Sequence, residues 1–263
     1  MHPGLETTYP SAPLELPPDL RIVVVVPALN EAESIGSVVD GLLSQTEVPL
    51  AGVVVVDNGS TDGTGEIAQS HGATVVRETR RGYGSACWAG VNSADGADIV
   101  VLMDGDAADD PEDLARIVEP LVWNEADLVV GSRVLGSVES GAMTPQQVAG
   151  NRLTCWLIGA IYGREVTDLG PFRAIRRQHL LRLDMHEMTY GWSTEMMVKA
   201  ARAGYRYREV PVRYHRRVGK SKVGGTVRGS LRAGRSILMT TLRYARWKPS
   251  DAAYVERGRE MAR

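Results

Sequence analysis

Apolar residues in the first half of the chain fall into short runs separated by stretches of helical period. Residues 21–26, 53–56, 74–77, 99–103 and 128–130 read as strands, mostly buried on both faces. Between them, residues 31–43, 62–70, 85–93 and 112–123 carry the spacing of helices. Repeated β-α order predicts an α/β fold with a Rossmann-like, mostly parallel sheet, right-handed crossovers and helices on both faces. Beyond about residue 145 the order becomes α+β. A helix over 147–162, a short strand over 172–175, a helix over 193–203, a strand over 207–214 and a last helix over 226–247 are expected. The chain then divides into a flexible, proline-rich lead (1–20), a ligand-binding region (21–145), a second subdomain completing the site (146–248) and a tail (249–263).

The chemistry is concentrated where strands end. The fourth strand runs into Asp104-Gly105-Asp106, the first into Pro27-Ala28-Leu29-Asn30-Glu31, and the second into Asp57-Asn58-Gly59-Ser60-Thr61-Asp62-Gly63-Thr64. In open α/β sheets ligands collect beyond the carboxyl ends of strands. Two carboxylates around a glycine suit a hard divalent cation that also holds a diphosphate, although acids end strands as plain turn formers too. Acids at these edges can accept from a base N–H or a ribose hydroxyl. Asp62 and Ser60 are expected to cap the following helix.

Composition changes this picture in three ways. With 263 residues and 43% hydrophobic content, the chain can bury one substantial core. Two cysteines, Cys87 and Cys155, give neither a disulfide framework nor a zinc cluster, and fit packing in a reducing compartment. The net charge of −2 conceals a basic stretch: from Lys199 to Lys248 there are fifteen Lys or Arg against one acid, Glu209. Such a stretch suits phosphates or an anionic surface. No aromatic platform or known motif supports nucleic acid as a partner. Neither a signal peptide nor a transmembrane run of about 18 apolar residues is expected.

The three strand-end loops together resemble the family-2 glycosyltransferases of the GT-A fold, from about residue 21 to 234. Gly131-Ser132-Arg133, Asp168-Leu169-Gly170-Pro171-Phe172-Arg173, and Arg216-Arg217-Val218-Gly219-Lys220-Ser221-Lys222 after Glu209-Val210-Pro211 narrow the likeness. They resemble the branch containing dolichyl- and polyprenyl-phosphate mannosyl- and glucosyltransferases. The resemblance implies a nucleotide-sugar-binding region over 21–145 and an acceptor-side subdomain after it. It assigns donor contacts to Pro27, Leu29, Glu31, Val56, Asn58, Asp104, Gly105, Asp106, Arg133, Arg216 and Lys222, with Asp57 beside them. Asp104 and Asp106 would hold Mg or Mn. Arginine is suited to clamp a phosphate bidentately.

The chain departs from the family pattern at three positions. Asn58 replaces the second acid of a common Asp-Asp pair, Ala108 stands where Gln is frequent, and Tyr83 replaces a common Lys in the Gly82-Tyr83-Gly84 loop. Asp109 or Asp110, acting through water, is the nearest substitute for the missing Gln. The glycines of that loop allow the backbone to approach a donor closely, or simply start the helix.

The implied reaction is metal-dependent, inverting transfer of a hexose from UDP-glucose or GDP-mannose to a polyprenyl or dolichyl phosphate. A lipid phosphate is already an anion, whereas a hydroxyl acceptor requires a carboxylate base. Glu195, at a helix start, is the candidate base, with capping as its other reading; His215 is read as structural. Arg228, Arg232, Arg235, Arg243 and Arg246 lie within roughly an 80° arc of the last helix. That helix either rests on an anionic membrane surface or buries its apolar side on the protein. The expected location is the cytoplasm, free or peripheral on the inner membrane face. A soluble hydroxyl acceptor, such as a secondary metabolite, is the enzyme alternative. An inactive nucleotide-sugar-binding module is the non-enzyme one. A sugar-phosphate nucleotidyltransferase is disfavoured because Pro27–Glu31 lacks the glycine-rich basic loop such an enzyme needs.

Overall fold

The computed structural model describes residue 14, residues 16–219 and residues 227–249, the side chains of 227–233 excepted. The elements run β1 (Ile22–Ala28), α1 (Ile35–Ser44), β2 (Gly52–Asp57), α2 (Thr64–Ser70), β3 (Thr74–Arg77), α3 (Tyr83–Ser93), β4 (Ile99–Leu102), α4 (Leu114–Val122), β5 (Leu128–Val138), α5 (Pro145–Tyr162), β6 (Arg173–Arg176), α6 (Arg177–Arg182), α7 (Trp192–Arg202), β7 (Tyr207–Tyr214) and α8 (Val227–Arg243). Seven strands form one sheet in the order β3-β2-β1-β4-β6-β5-β7. Only β6 is antiparallel to its neighbours. The α/β, mostly parallel architecture read from the sequence is therefore the one observed.

Alternation along β1 explains the layers. Ile22, Val24 and Val26 point to one core with α1 and α4, while Val23 and Val25 point to the other with α3 and α7. A strand buried on both faces needs an unbroken apolar run, which Ile-Val-Val-Val-Val supplies. Each such side chain contributes roughly 1.5–3 kcal/mol on full burial. The second half of the chain adds β6 and β7 to the same sheet, so the basic stretch after β7 starts at a strand end close to the acid loop.

Several elements differ from expectation. Helix α1 begins at Ile35 rather than at 31, because residues 31–34 form a turn whose Ser34 hydroxyl donates to Gly105 O at 2.7 Å. Strand β5 continues to Val138 beyond the expected 130, breaking register with β7 between Ser132 and Ser137. Its outer half is exposed, so burial gave no apolar run to read. Helix α6 is too short and too polar to have been anticipated.

Helix α3 meets the sheet at Gly90, where a Cβ would collide with the Val25 and Val56 side chains. Both are β-branched and buried in the second core, so neither can turn away. Gly90→Ala is therefore expected to cost about 1–3 kcal/mol by overpacking, lowering Tm by roughly 2–4 °C per kcal/mol in a thermal melt.

Candidate active site

At the end of β4 the chain turns through Met103 and delivers Asp104 and Asp106 to a cleft of about 1360 Å³. Pro27, Leu29, Glu31, Asn58 and Gly105 line the same cleft. The parallel register of β1, β2 and β4 brings their three loops to one edge. Hydrogen bonds then lock the loops together: Asn30 N donates to Ser60 Oγ, Glu31 N to Thr64 Oγ1 and Ala32 N to Asp62 Oδ2. Asp62 also accepts from Thr64 N at 3.1 Å and so ties two loops at once ahead of α2, but the expected capping role is not observed: the N-cap residue is Gly63, with no side-chain cap bond. Of the expected residues on β2, two are not in the lining. Val56 is wholly buried in the core, and Asp57 spends Oδ1 on Ser60 N at 2.7 Å, the contact of a turn former.

The two acids share a largely buried corner of the cleft. Asp106 is 4% exposed, and Oδ1 of Asp104 is buried without a hydrogen-bond partner. Burial and then the Asp106 charge push the Asp104 carboxyl up to about 7. The Tyr83 hydroxyl donates to Asp104, and burial followed by the Asp104 charge raises the phenol well above its ordinary value. Asp109, 2% exposed, is raised by burial and then by Asp104 and Asp106. Among the described residues no three acidic, histidine or cysteine side chains converge as a self-sufficient metal cage.

The segment after β7 crosses this acidic loop. His215 N donates to Ala108 O at 2.7 Å and Val218 N to Asp106 O at 2.9 Å. Arg217, not Arg216, faces the acids: its Nη1 lies 3.0 Å from Asp106 Oδ2, and it also hydrogen bonds Tyr214. Arg216 turns outward, its Nε donating to Ser140 O at 2.7 Å and pairing with Glu139 at 3.4 Å. The phosphate clamp was expected at Arg216; the structure instead puts Arg217 beside the acids and leaves Arg216 outside the lining. Once the strand pairing ends at Tyr214, side-chain direction follows the turn rather than strand alternation. Lys222 lies outside the described residues, as do the side chains of Arg228 and Arg232.

Arg133 is also placed differently from expectation. Its guanidinium makes a bidentate pair with fully buried Asp168, at 2.7 Å through both Nε and Nη2, and sits 5.0 Å from the Tyr214 ring centroid. Glu209 holds the backbone of Thr167 and Asp168, which fixes that carboxylate. Arg133 does not line the cleft; it lies against Tyr214, and its charge offsets a little of the rise in the Asp104 carboxyl.

Glu195 is not available as a base. It is 0% exposed, accepts from His186 N and Glu187 N, and pairs with Lys199 Nζ at 2.7 Å. The sequence spacing of Glu195 and Lys199, four apart on a helix, was the signal for this pair. The loop it holds supplies Glu187, Thr189 and Tyr190 to the cleft, none of them anticipated; Tyr83, Arg81 and Arg217 were also missed as lining. The Gly82-Tyr83-Gly84 glycines serve that loop too. A Cβ on Gly82 would collide with Met188 O and one on Gly84 with Glu187 O, so they admit protein backbone. The opposite wall is α8, through Arg235, Met239, Leu242 and Arg243.

Comparison with known proteins was consistent with this geometry. The family model for glycosyl transferase family 2 matches residues 23–190. An uncharacterised glycosyltransferase of Mycobacterium tuberculosis is 39% identical over 212 residues, 80% of this chain and 93% of its own. The undecaprenyl-phosphate mannosyltransferase of Micrococcus luteus is 33% identical over 80% of this chain and 90% of its own. The dolichyl-phosphate hexose transferase of Haloferax volcanii is 35% identical over 84% of this chain and 94% of its own. Among solved structures, glucosyl-3-phosphoglycerate synthase of M. tuberculosis with Mn2+, UDP-glucose and phosphoglyceric acid superposes with a TM-score of 0.71 at 25% identity. The match covers 88% of this chain and 81% of that one.

Asn58 has a structural duty that accounts for its replacing an acid. Its Nδ2 donates to Glu78 O at 3.0 Å and Arg80 O at 2.8 Å, while Oδ1 accepts from Gly82 N at 2.8 Å. A carboxylate cannot donate, so Asn58→Asp would leave two carbonyls unpaired against a negative charge. This variant is expected to lose about 1–3 kcal/mol per unmade bond. Trypsin cleavage after Arg80 and Arg81 should accelerate relative to the rest of the chain in a limited digest.

Proposed function

The chain belongs to glycosyl transferase family 2, and on that premise we propose that it is a metal-dependent, inverting hexosyltransferase using UDP-glucose or GDP-mannose and a polyprenyl phosphate acceptor. The observation that carries the acceptor assignment is the outer wall of the cleft. Helix α8 packs on the protein through Thr240, Thr241 and the following Tyr244, and leaves Leu238 40%, Met239 54% and Leu242 50% exposed. Arg235 and Arg243 stand beside them, with Arg246 exposed beyond. Of the two readings of this helix, the exposure of these three side chains supports the one that rests on an anionic membrane surface. Arginines next to exposed apolar side chains suit a phosphate attached to a hydrocarbon tail. The names of the M. luteus and H. volcanii relatives support the same acceptor class. No helix among the described residues is long and apolar enough to cross a membrane.

The residues at the end of β4 fit a divalent cation. A buried pair of like charges, one oxygen lacking any partner, is compensated by a hard ion with oxygen ligands. Asp104 and Asp106 would hold it, leaving further positions for diphosphate and water oxygens, and the solved neighbour contains Mn2+ with UDP-glucose. When bound, the ion neutralises charge developing on the departing diphosphate. Arg217 adds a second positive charge beside Asp106. Tyr83 orients Asp104, and the β1 and β2 loops seat the nucleotide. A phosphate oxygen is already an anion and attacks the anomeric carbon without a base, in keeping with the burial of Glu195. A soluble phosphorylated acceptor is the second reading, supported by the phosphoglyceric acid in the solved neighbour. Incubation with each nucleotide sugar and Mn2+, offering a short polyprenyl phosphate or 3-phosphoglycerate, separates the two. Transfer to phosphoglycerate alone would overturn the lipid assignment.

Two sets of variants test the parts. Asp106→Asn is expected to keep its fold and lose donor turnover by roughly two orders of magnitude or more at saturating metal. Arg217→Ala is expected to weaken Mn2+-dependent UDP binding, and Arg216→Ala to leave it near wild type, as titration calorimetry would measure. Leu238→Gln, Met239→Gln and Leu242→Gln combined should melt within a few degrees of wild type, because exposed positions contribute little to stability. In sedimentation with anionic vesicles the triple variant should stay in the supernatant while wild type pellets, and high salt should release the wild type.

A further inference from the structure

A fully desolvated ion pair is a poor source of stability, because losing water costs about as much as the attraction returns. The Glu195–Lys199 pair, with neither side chain exposed, therefore calls for an account in terms of what it holds. Its partners come from two segments outside α7. The carboxylate accepts from His186 N at 3.0 Å and Glu187 N at 2.6 Å, and it hydrogen bonds Tyr244. The ammonium donates to Asp184 O at 2.5 Å and lies 4.6 Å from the Tyr244 ring centroid and 5.2 Å from that of Trp247. The 184–187 backbone leads directly to Thr189 and Tyr190 in the cleft, and Tyr244 and Trp247 follow α8. Glu187 closes the circuit by accepting from Thr189 N at 3.2 Å and from Thr240 Oγ1 at 3.5 Å.

We propose that Glu195 and Lys199 are a positioning pair. Buried in α7, they fix the 184–190 loop and α8 to each other and so set the acceptor wall of the cleft relative to Asp104 and Asp106. The reading of that wall as the acceptor side rests on the proposed function; the latch itself does not. It acts through Glu187, Thr189, Tyr190 and the α8 residues, and touches no substrate.

The test compares two uncharged versions of the pair. Glu195→Gln with Lys199→Met keeps an acceptor oxygen toward the His186 and Glu187 amides, whereas Glu195→Ala with Lys199→Met removes it. Neither leaves a lone buried charge. The Ala/Met protein is expected to raise the KM for a short polyprenyl phosphate by about tenfold or more, since small misplacements of binding groups are costly. Its affinity for UDP with Mn2+ should stay near wild type, and the Gln/Met protein should recover most of the acceptor KM. Tyr244→Phe, a milder change, should move KM in the same direction by severalfold. Hydrogen exchange at the His186 and Glu187 amides should accelerate in the Ala/Met protein while β1 and β4 remain protected. Unchanged exchange at those two amides would overturn the latch, and so would a loss of Mn2+–UDP affinity that tracks Tm in both double variants. If wild type transfers sugar only to a soluble acceptor, the acceptor assignment falls while the exchange result still decides the latch.

Discussion

Two carboxylates are brought into one largely buried corner where β4 ends, and much of the surrounding architecture answers that repulsion. Asp104 and Asp106 are fixed by the register of a buried parallel strand, so they cannot separate. Arg217 meets Asp106 directly, and Arg133 works from behind after being fixed by Asp168. The 214–219 segment is stitched to the acid loop through backbone bonds at both Ala108 and Asp106. The chain's basic stretch is thereby joined to its acidic corner, a separation of more than a hundred residues in sequence closed by β4, β6, β5 and β7 lying in that order in one sheet.

What was legible in the sequence is what depends on period and on strand ends. Strands buried on both faces announce themselves as apolar runs, and acids just beyond them mark the ligand edge. Pro27, Leu29, Glu31, Asn58 and Asp104 to Asp106 share the cleft for that reason. What was illegible depends on direction and on partners distant in sequence. Arg216 and Arg217 are neighbours, and only the turn after β7 decides which faces Asp106. Arg133 lies within β5, which was expected to end before it, and its dependence on Asp168 is a tertiary fact. Glu195 at a helix start looks like a free acid until Lys199, one turn on, is seen to be equally buried.

Asn58 illustrates a departure visible in the sequence whose meaning lay elsewhere. Judged by its absent charge, it is a change in nucleotide recognition. Judged by its bonds, it is a residue that must donate twice and accept once, which a carboxylate cannot do. The position lines the cleft and holds the 78–82 segment in the same act, so recognition and loop geometry cannot be altered there separately.

The close approach of Gly82 and Gly84 to the backbone of residues 187–188 joins the segment that carries Tyr83 to the segment that carries Tyr190. With no side chain between them, there is no soft layer to absorb relative motion, and Ser85 N fixes the contact by donating to Met188 O at 3.0 Å. A displacement of one segment is a displacement of the other. An occupant that moved this shared body would alter the affinity of a second occupant at the other end of the cleft, and the effect would be reciprocal.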